Sequence, residues 1–179
     1  MENNSNNGKL IMNIIFAGLL VFSILGVGQI IMMYFGSYGL NVTGTIRVSD
    51  TAYEAIRGSL LLAFVFALIA TIACAAFIAL KFLWEAENKK VAKFAINIGL
   101  SVIVLAMLIG LFVVFGGFHG DHIRTWVDGG TTLYSGNDVT FATQARGSLA
   151  FAIPALTGLV ILMITFTICH AVKTFRKAK

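Results

Sequence analysis

Four stretches of this chain, 10–35, 59–80, 94–118 and 148–171, contain no Asp, Glu, Lys or Arg. Each is long enough to cross the hydrocarbon core of a bilayer, which takes about 20 largely apolar residues in a helix. A helix this uniformly apolar cannot sit on the surface of a water-soluble domain, and no other part of the chain is large enough to cover all four. Composition agrees: 58% of the residues are hydrophobic and 12% charged, against roughly 25% charged in a soluble domain. Mean hydropathy is +0.89. The sequence therefore predicts an all-α membrane protein, a bundle of four transmembrane helices forming one integral domain over 1–179. The first stretch is too long for a cleaved leader and no small-residue cleavage site follows it, so it is expected to be a retained span.

The basic residues give an orientation. Lys9, Lys81, Lys89, Lys90, Lys93, Lys173, Arg176, Lys177 and Lys179 lie on one side of the four spans, and Arg47, Arg57, Arg124 and Arg146 on the other. Nine against four, with every lysine on one side, predicts a cytoplasmic lysine side. The chain then runs from a cytoplasmic tail, 1–9, to a second, 172–179, in the cell membrane. The net charge of +5 is placed at span ends, where it meets lipid headgroups; membrane lipid, not nucleic acid, is the expected partner of these charges. Tyr34, Phe35, Tyr38, Phe115 and Phe118 mark the outer interface, with Phe82 and Trp84 at the inner one.

Short motifs recur. Lys9-Leu-Ile-Met-Asn13 opens the first span and Lys93-Phe-Ala-Ile-Asn97 the third; Tyr34-Phe-Gly-Ser-Tyr-Gly39 and Val114-Phe-Gly-Gly-Phe-His119 close them. Ala55-Ile-Arg-Gly-Ser-Leu60 and Gln144-Ala-Arg-Gly-Ser-Leu149 lead into the second and fourth. The expected plan is two tandem helical hairpins, about 9–81 and 93–171, both running the same way through the membrane.

Helix faces suggest packing. Ala63, Ala67, Ala70 and Cys74 on the second span, and Ala92, Ala95, Gly99, Ala106 and Gly110 on the third, form stripes of small residues. Such stripes let helices approach closely in lipid, and the short connection between these spans predicts that the stripes face one another. Cys74 and Cys169 lie in apolar runs and imply neither a disulfide framework nor a zinc site. Pro154 is expected to remove one backbone hydrogen bond from the fourth span. Intramembrane polar groups are few, chiefly Asn13, Gln29, Thr71, Asn97, Ser101, Thr157, Thr165 and Thr167, and none is charged, which argues against a self-contained ion-coupled transporter. No pair of histidines lies where it could clasp a haem.

The outer loops are longer than turns. Residues 41–48 alternate as a strand or hairpin, and 125–134 flank an Asp-Gly-Gly turn with strand-like runs. Together they predict a small β-hairpin-containing extracellular cap. Asp50 and Thr140 are expected to cap the helices that follow. Arg57 and Arg146, at matching places beside the outer mouth, are candidate contacts for a partner or ligand, because a guanidinium fork suits carboxylate or phosphate. His119, Asp121 and His122 form the one metal-like cluster, with ligand types suited to zinc or copper.

Four spans with a β-rich outer cap resemble claudin-type tetraspan proteins in outline. The tryptophan and paired cysteines of that family's first outer loop are missing from 36–58, so no property is carried across. With no catalytic residues and no cofactor motif, the expected function is non-enzymatic: a structural or assembly subunit that binds partner proteins, as a homo-oligomer or within a membrane complex. A subunit of an oligomeric channel or transport complex is the first alternative, and a metal-binding accessory protein the second.

Overall fold

The computed structural model describes the backbone of residues 2–36, 38–41, 44–47, 50–83, 90–119 and 136–176, with side chains described mainly in 10–35, 56–81, 91–116 and 143–172. Four helices dominate: α1 (Glu2–Gly36), α2 (Asp50–Leu83), α3 (Lys90–His119) and α4 (Gly136–Arg176). The shortest has 30 residues, about 45 Å at 1.5 Å per residue, enough for a whole bilayer with its headgroup layers. Their apolar segments are Leu10–Phe35, Ile56–Lys81, Val91–Gly116 and Thr143–Val172. The chain is a multi-pass membrane protein.

Each helix is apolar all round, as helices in lipid are. Phe35, Val91 and Val113 are more than 70% exposed on the bundle surface, where in water they would drive aggregation. Contacts between consecutive helices make an up-down-up-down ring: α1 against α2, α2 against α3, α3 against α4, and α4 back against α1. Among the described residues α2 also meets α4 across the diagonal, whereas α1 and α3 do not meet. The small face of α2 explains this diagonal. Ala63, Ala67, Ala70 and Cys74 are fully buried, and without bulk there α4 comes close enough to set the Met163 sulfur 3.7 Å from the Cys74 thiol.

The core is continuous from end to end. Phe16, Phe77 and Phe166 meet at one end with ring centroids 6.1 to 6.5 Å apart. Ile30, Met33, Ile56, Leu111 and Val114 fill the other. Between them Ser23 of α1 and Thr71 of α2 share a buried hydrogen bond of 2.6 Å. Thr71 and the hydroxyls of Ser101, Ser148, Thr157, Thr165 and Thr167 also turn back on their own helix, each donating to the carbonyl four residues earlier. This is how a helix in lipid satisfies polar side chains without water. Glycines set the closest approaches. A Cβ on Gly26 would lie 3.0 Å from the Cβ of Ala152 and 3.3 Å from its Cα, and one on Gly110 would lie 2.7 Å from the Phe66 ring.

Several expectations need correction. The stripe on α3 does not face α2: Ala95, Gly99 and Ala106 are exposed, and only Gly110 packs inward, against Phe66. The buried face of α3 is instead Asn97, Ser101, Val104, Leu108, Leu111 and Val114, where larger groups reach the core. No secondary structure was expected of the tails in particular; α1 begins at Glu2 and α4 runs to Arg176. Thr140 does not cap α4, which already starts at Gly136; Asp138 stands in its first turn, where an acid favours the positive end of the helix dipole. Pro154 lies inside α4, and its ring nitrogen has no hydrogen to donate, as expected.

The β-hairpin-containing extracellular cap is not supported. Among the described residues one short hairpin follows α1, with Tyr38–Asn41 paired antiparallel to Gly44–Arg47 and Tyr38 opposite Arg47. It touches α1 and α4. The stretch expected as one strand, 41–48, is divided between the two arms, and 125–134 lies outside the described residues.

Candidate functional site

The most elaborate polar arrangement lies where the lysines gather, beside the Phe16–Phe77–Phe166 layer. All four helices contribute to a cavity of about 340 Å³: Met12 and Asn13 from α1, Phe77 and Lys81 from α2, Lys93 and Asn97 from α3, and Phe166, Cys169 and His170 from α4. The size falls within the range of small-ligand pockets, roughly 300–1,000 Å³. Lys81 donates to the side-chain oxygen of Asn13, and its ammonium sits 3.4 Å from the centroid of the Phe166 ring. An aromatic face attracts a cation through its quadrupole, most strongly where water is excluded. The charge is thereby held in place at the end of a long side chain. Asn97 is buried, and its backbone carbonyl accepts from Ser101 at 2.8 Å.

Ammonium, imidazole and amide groups line this cavity, and among the described residues no carboxylate does. Cys169 and His170 are neighbours in sequence, and consecutive residues on a helix do not face each other, so they do not make a thiol–imidazole pair.

The opposite end is built differently. Arg57 of α2 lies 5.8 Å from the Tyr34 ring centroid and forms a 3.2 Å ion pair with Glu54 one turn back. Arg146 of α4 lies 5.3 Å from the Phe115 ring. Both arginines thus stack on an aromatic residue of the preceding helix. Near them Gln29, Met32, Met33, Gln144, Gly147, Ser148 and Phe151 line a smaller space of about 210 Å³ between α1 and α4.

Of the residues singled out by sequence, Arg57 and Arg146 share one end of the bundle without converging on a common pocket. His119 ends the described part of α3, whereas Asp121 and His122 lie outside the described residues, and among those described no cluster could hold a metal ion. No local pattern marks the lysine-end cavity as a site, although Asn13, Lys81, Lys93, Asn97 and Cys169 each stand out singly in the sequence. One signal was within reach. At the register matching Arg57 with Arg146, Phe77 falls on Phe166 and Lys81 on His170; at the register matching Lys9 with Lys93, Asn13 falls on Asn97. These matches join six residues in three pairs, and all six line the cavity. No family model, curated protein or solved structure matches the chain.

Proposed function

We propose that this chain is a non-enzymatic subunit or scaffold of a membrane complex, with both ends cytoplasmic, that engages partner proteins through lateral helix faces and its outer loops. The carrying observation is the filled interior: apolar side chains occupy the bundle from Phe16 to Val114, and its hydroxyls are bonded internally. A single copy so packed has no polar path for a solute, and its surface is left as the place of action. The outward stripe of Ala95, Gly99 and Ala106 supports this reading, because small residues on a lipid-facing side let a further helix approach. The convergence of Asn13 with Asn97 and of Phe77 with Phe166 favours reading 9–81 and 93–171 as copies of one hairpin.

The test is the native mass of the complex extracted in a mild amphiphile, with every co-purifying chain identified. The expected result is a mass above that of one chain, reduced by Gly99→Leu without loss of helix content. A monodisperse single chain would overturn the proposal.

The second reading is a conduit formed between several copies, for which the matched stacking of Arg57 and Arg146 at one end is the specific support. It requires a closed ring of identical chains, and ion preference must change when both arginines become alanine.

A further inference from the structure

An apolar groove runs along the outer side of the α3–α4 seam. Phe94, Ile98, Val102 and Leu105 of α3 face Ile164 and Ile168 of α4 around a space of about 370 Å³. Its lining is almost wholly hydrocarbon, and it lies within the segments that cross the membrane. The groove and the lysine-end cavity lie at the same level of the same two helices. Lys93 lines the cavity and Phe94 the groove; Asn97 the cavity and Ile98 the groove; His170 the cavity and Ala171 the groove. A basic, donor-rich chamber and an acyl-sized groove therefore share one level, at the end of the bundle where the lysines collect.

The geometry points to a binding site for one anionic phospholipid, its headgroup phosphate beside Lys93 and His170 and one acyl chain laid in the α3–α4 groove. Charge complementarity selects the headgroup, since Lys81 and Lys93 both bring ammonium groups to the chamber and basic pockets between membrane helices favour anionic headgroups. Position selects the tail. The groove starts at the level of the lysines and extends along the span, as an acyl chain does below its phosphate. This site does not depend on the assembly reading: a monomeric chain would carry it equally.

The test is lipid retention by the full chain, delipidated and then reconstituted in nanodiscs with equimolar phosphatidylglycerol and phosphatidylcholine, released and weighed by native mass spectrometry. The expected result is one phosphatidylglycerol per chain, preferred over phosphatidylcholine by more than about tenfold. Lys93→Gln should reduce that preference about fivefold, the usual worth of one basic residue at an anionic surface. Val102→Phe, which fills the groove from an exposed position, should lower retention of both lipids. Ile109→Phe, equally exposed on α3 but outside the groove, should change neither and controls for folding. Equal retention of the two lipids by the unaltered chain, or an unchanged preference in Lys93→Gln, overturns the proposal. So does displacement by millimolar inorganic phosphate with no effect of Val102→Phe, which would indicate a site for a free anion. A dimer that separates on Val102→Phe would make the groove an interface between copies and overturn it as well.

Discussion

At one end of the bundle each arginine lies along a seam between two helices, Arg57 over Tyr34 and Arg146 over Phe115; at the other, Lys81, Lys93 and His170 turn towards a single cavity fed by all four helices. The two ends use positive charge for different ends. A guanidinium is flat and weakly hydrated, so it can lie on a ring at the bundle edge and lock two neighbours together. An ammonium on a flexible stem reaches inwards, and it needs a fixed partner to stay there; Asn13 and the Phe166 ring supply this for Lys81. Fastening is thus local at the arginine end, whereas the lysine end concentrates its charge.

This contrast can be broken by substitution. The largest effect is expected from Phe77→Ala, which removes a fully enclosed ring from the layer flooring the lysine-end cavity. Loss of a buried phenylalanine costs about 3–5 kcal/mol, and denaturant titration of the reconstituted protein should register it. A loss no greater than that of an arginine substitution would mean that the lysine end is not the more tightly built of the two. Next comes Lys81→Met, which keeps the bulk and removes the ammonium. With its hydrogen bond and ring contact gone, stability should fall by about 1–2 kcal/mol, and Asn13→Ala in the same background should add less than it does alone. Additive losses would separate the two residues and dissolve the idea of a fixed charge. Ser23→Ala, midway between the ends, should cost about 0.6 kcal/mol and no more than roughly 1.7, the range for hydrogen bonds between membrane helices. The smallest effect should come from Arg57→Ala, whose half-exposed side chain pairs with Glu54 of its own helix and only borders the Tyr34 ring of α1. Its thermal midpoint should be nearly that of the unaltered chain, and the Arg57→Ala, Arg146→Ala double variant should show the sum of the two single changes. A cooperative loss in the double variant would sharpen the comparison in the other direction, by revealing that the arginines act together.

The spans were legible because length and the absence of charge in a helix are enough to set its depth. Leu10–Phe35 has the expected boundaries, and the other three apolar segments differ from expectation by a few residues at most ends. What could not be read was rotation about each helix axis. The stripes on α2 and α3 have the same composition and similar spacing, yet Ala63, Ala67 and Ala70 are buried while Ala95, Gly99 and Ala106 face outwards. In water a polar face would have disclosed the direction. In a helix that is apolar all round, direction is decided by which side carries Val104, Leu108 and Leu111, and therefore by neighbours whose positions the local sequence does not encode. The cavity had the same difficulty: Asn13, Lys81, Asn97 and His170 are far apart in the chain, and only the repeat register links them. The extension of α1 back to Glu2 had no signal, since apolar length marks the membrane-crossing segment and not where a helix continues beyond it, whereas the cap expected at Thr140 placed the start of α4 too late.

The contact of Gly26 with Ala152 bears on how the protein is made. Translation delivers α1 first, and the flank of α1 that carries Gly26 receives its permanent neighbour only when α4 has been synthesised and inserted. During that interval the first three helices can associate in chain order, but the ring stays open on one side. A nascent chain halted before α4 would leave the glycine-bearing notch to lipid alone, and insertion of the fourth helix is the step that fills it.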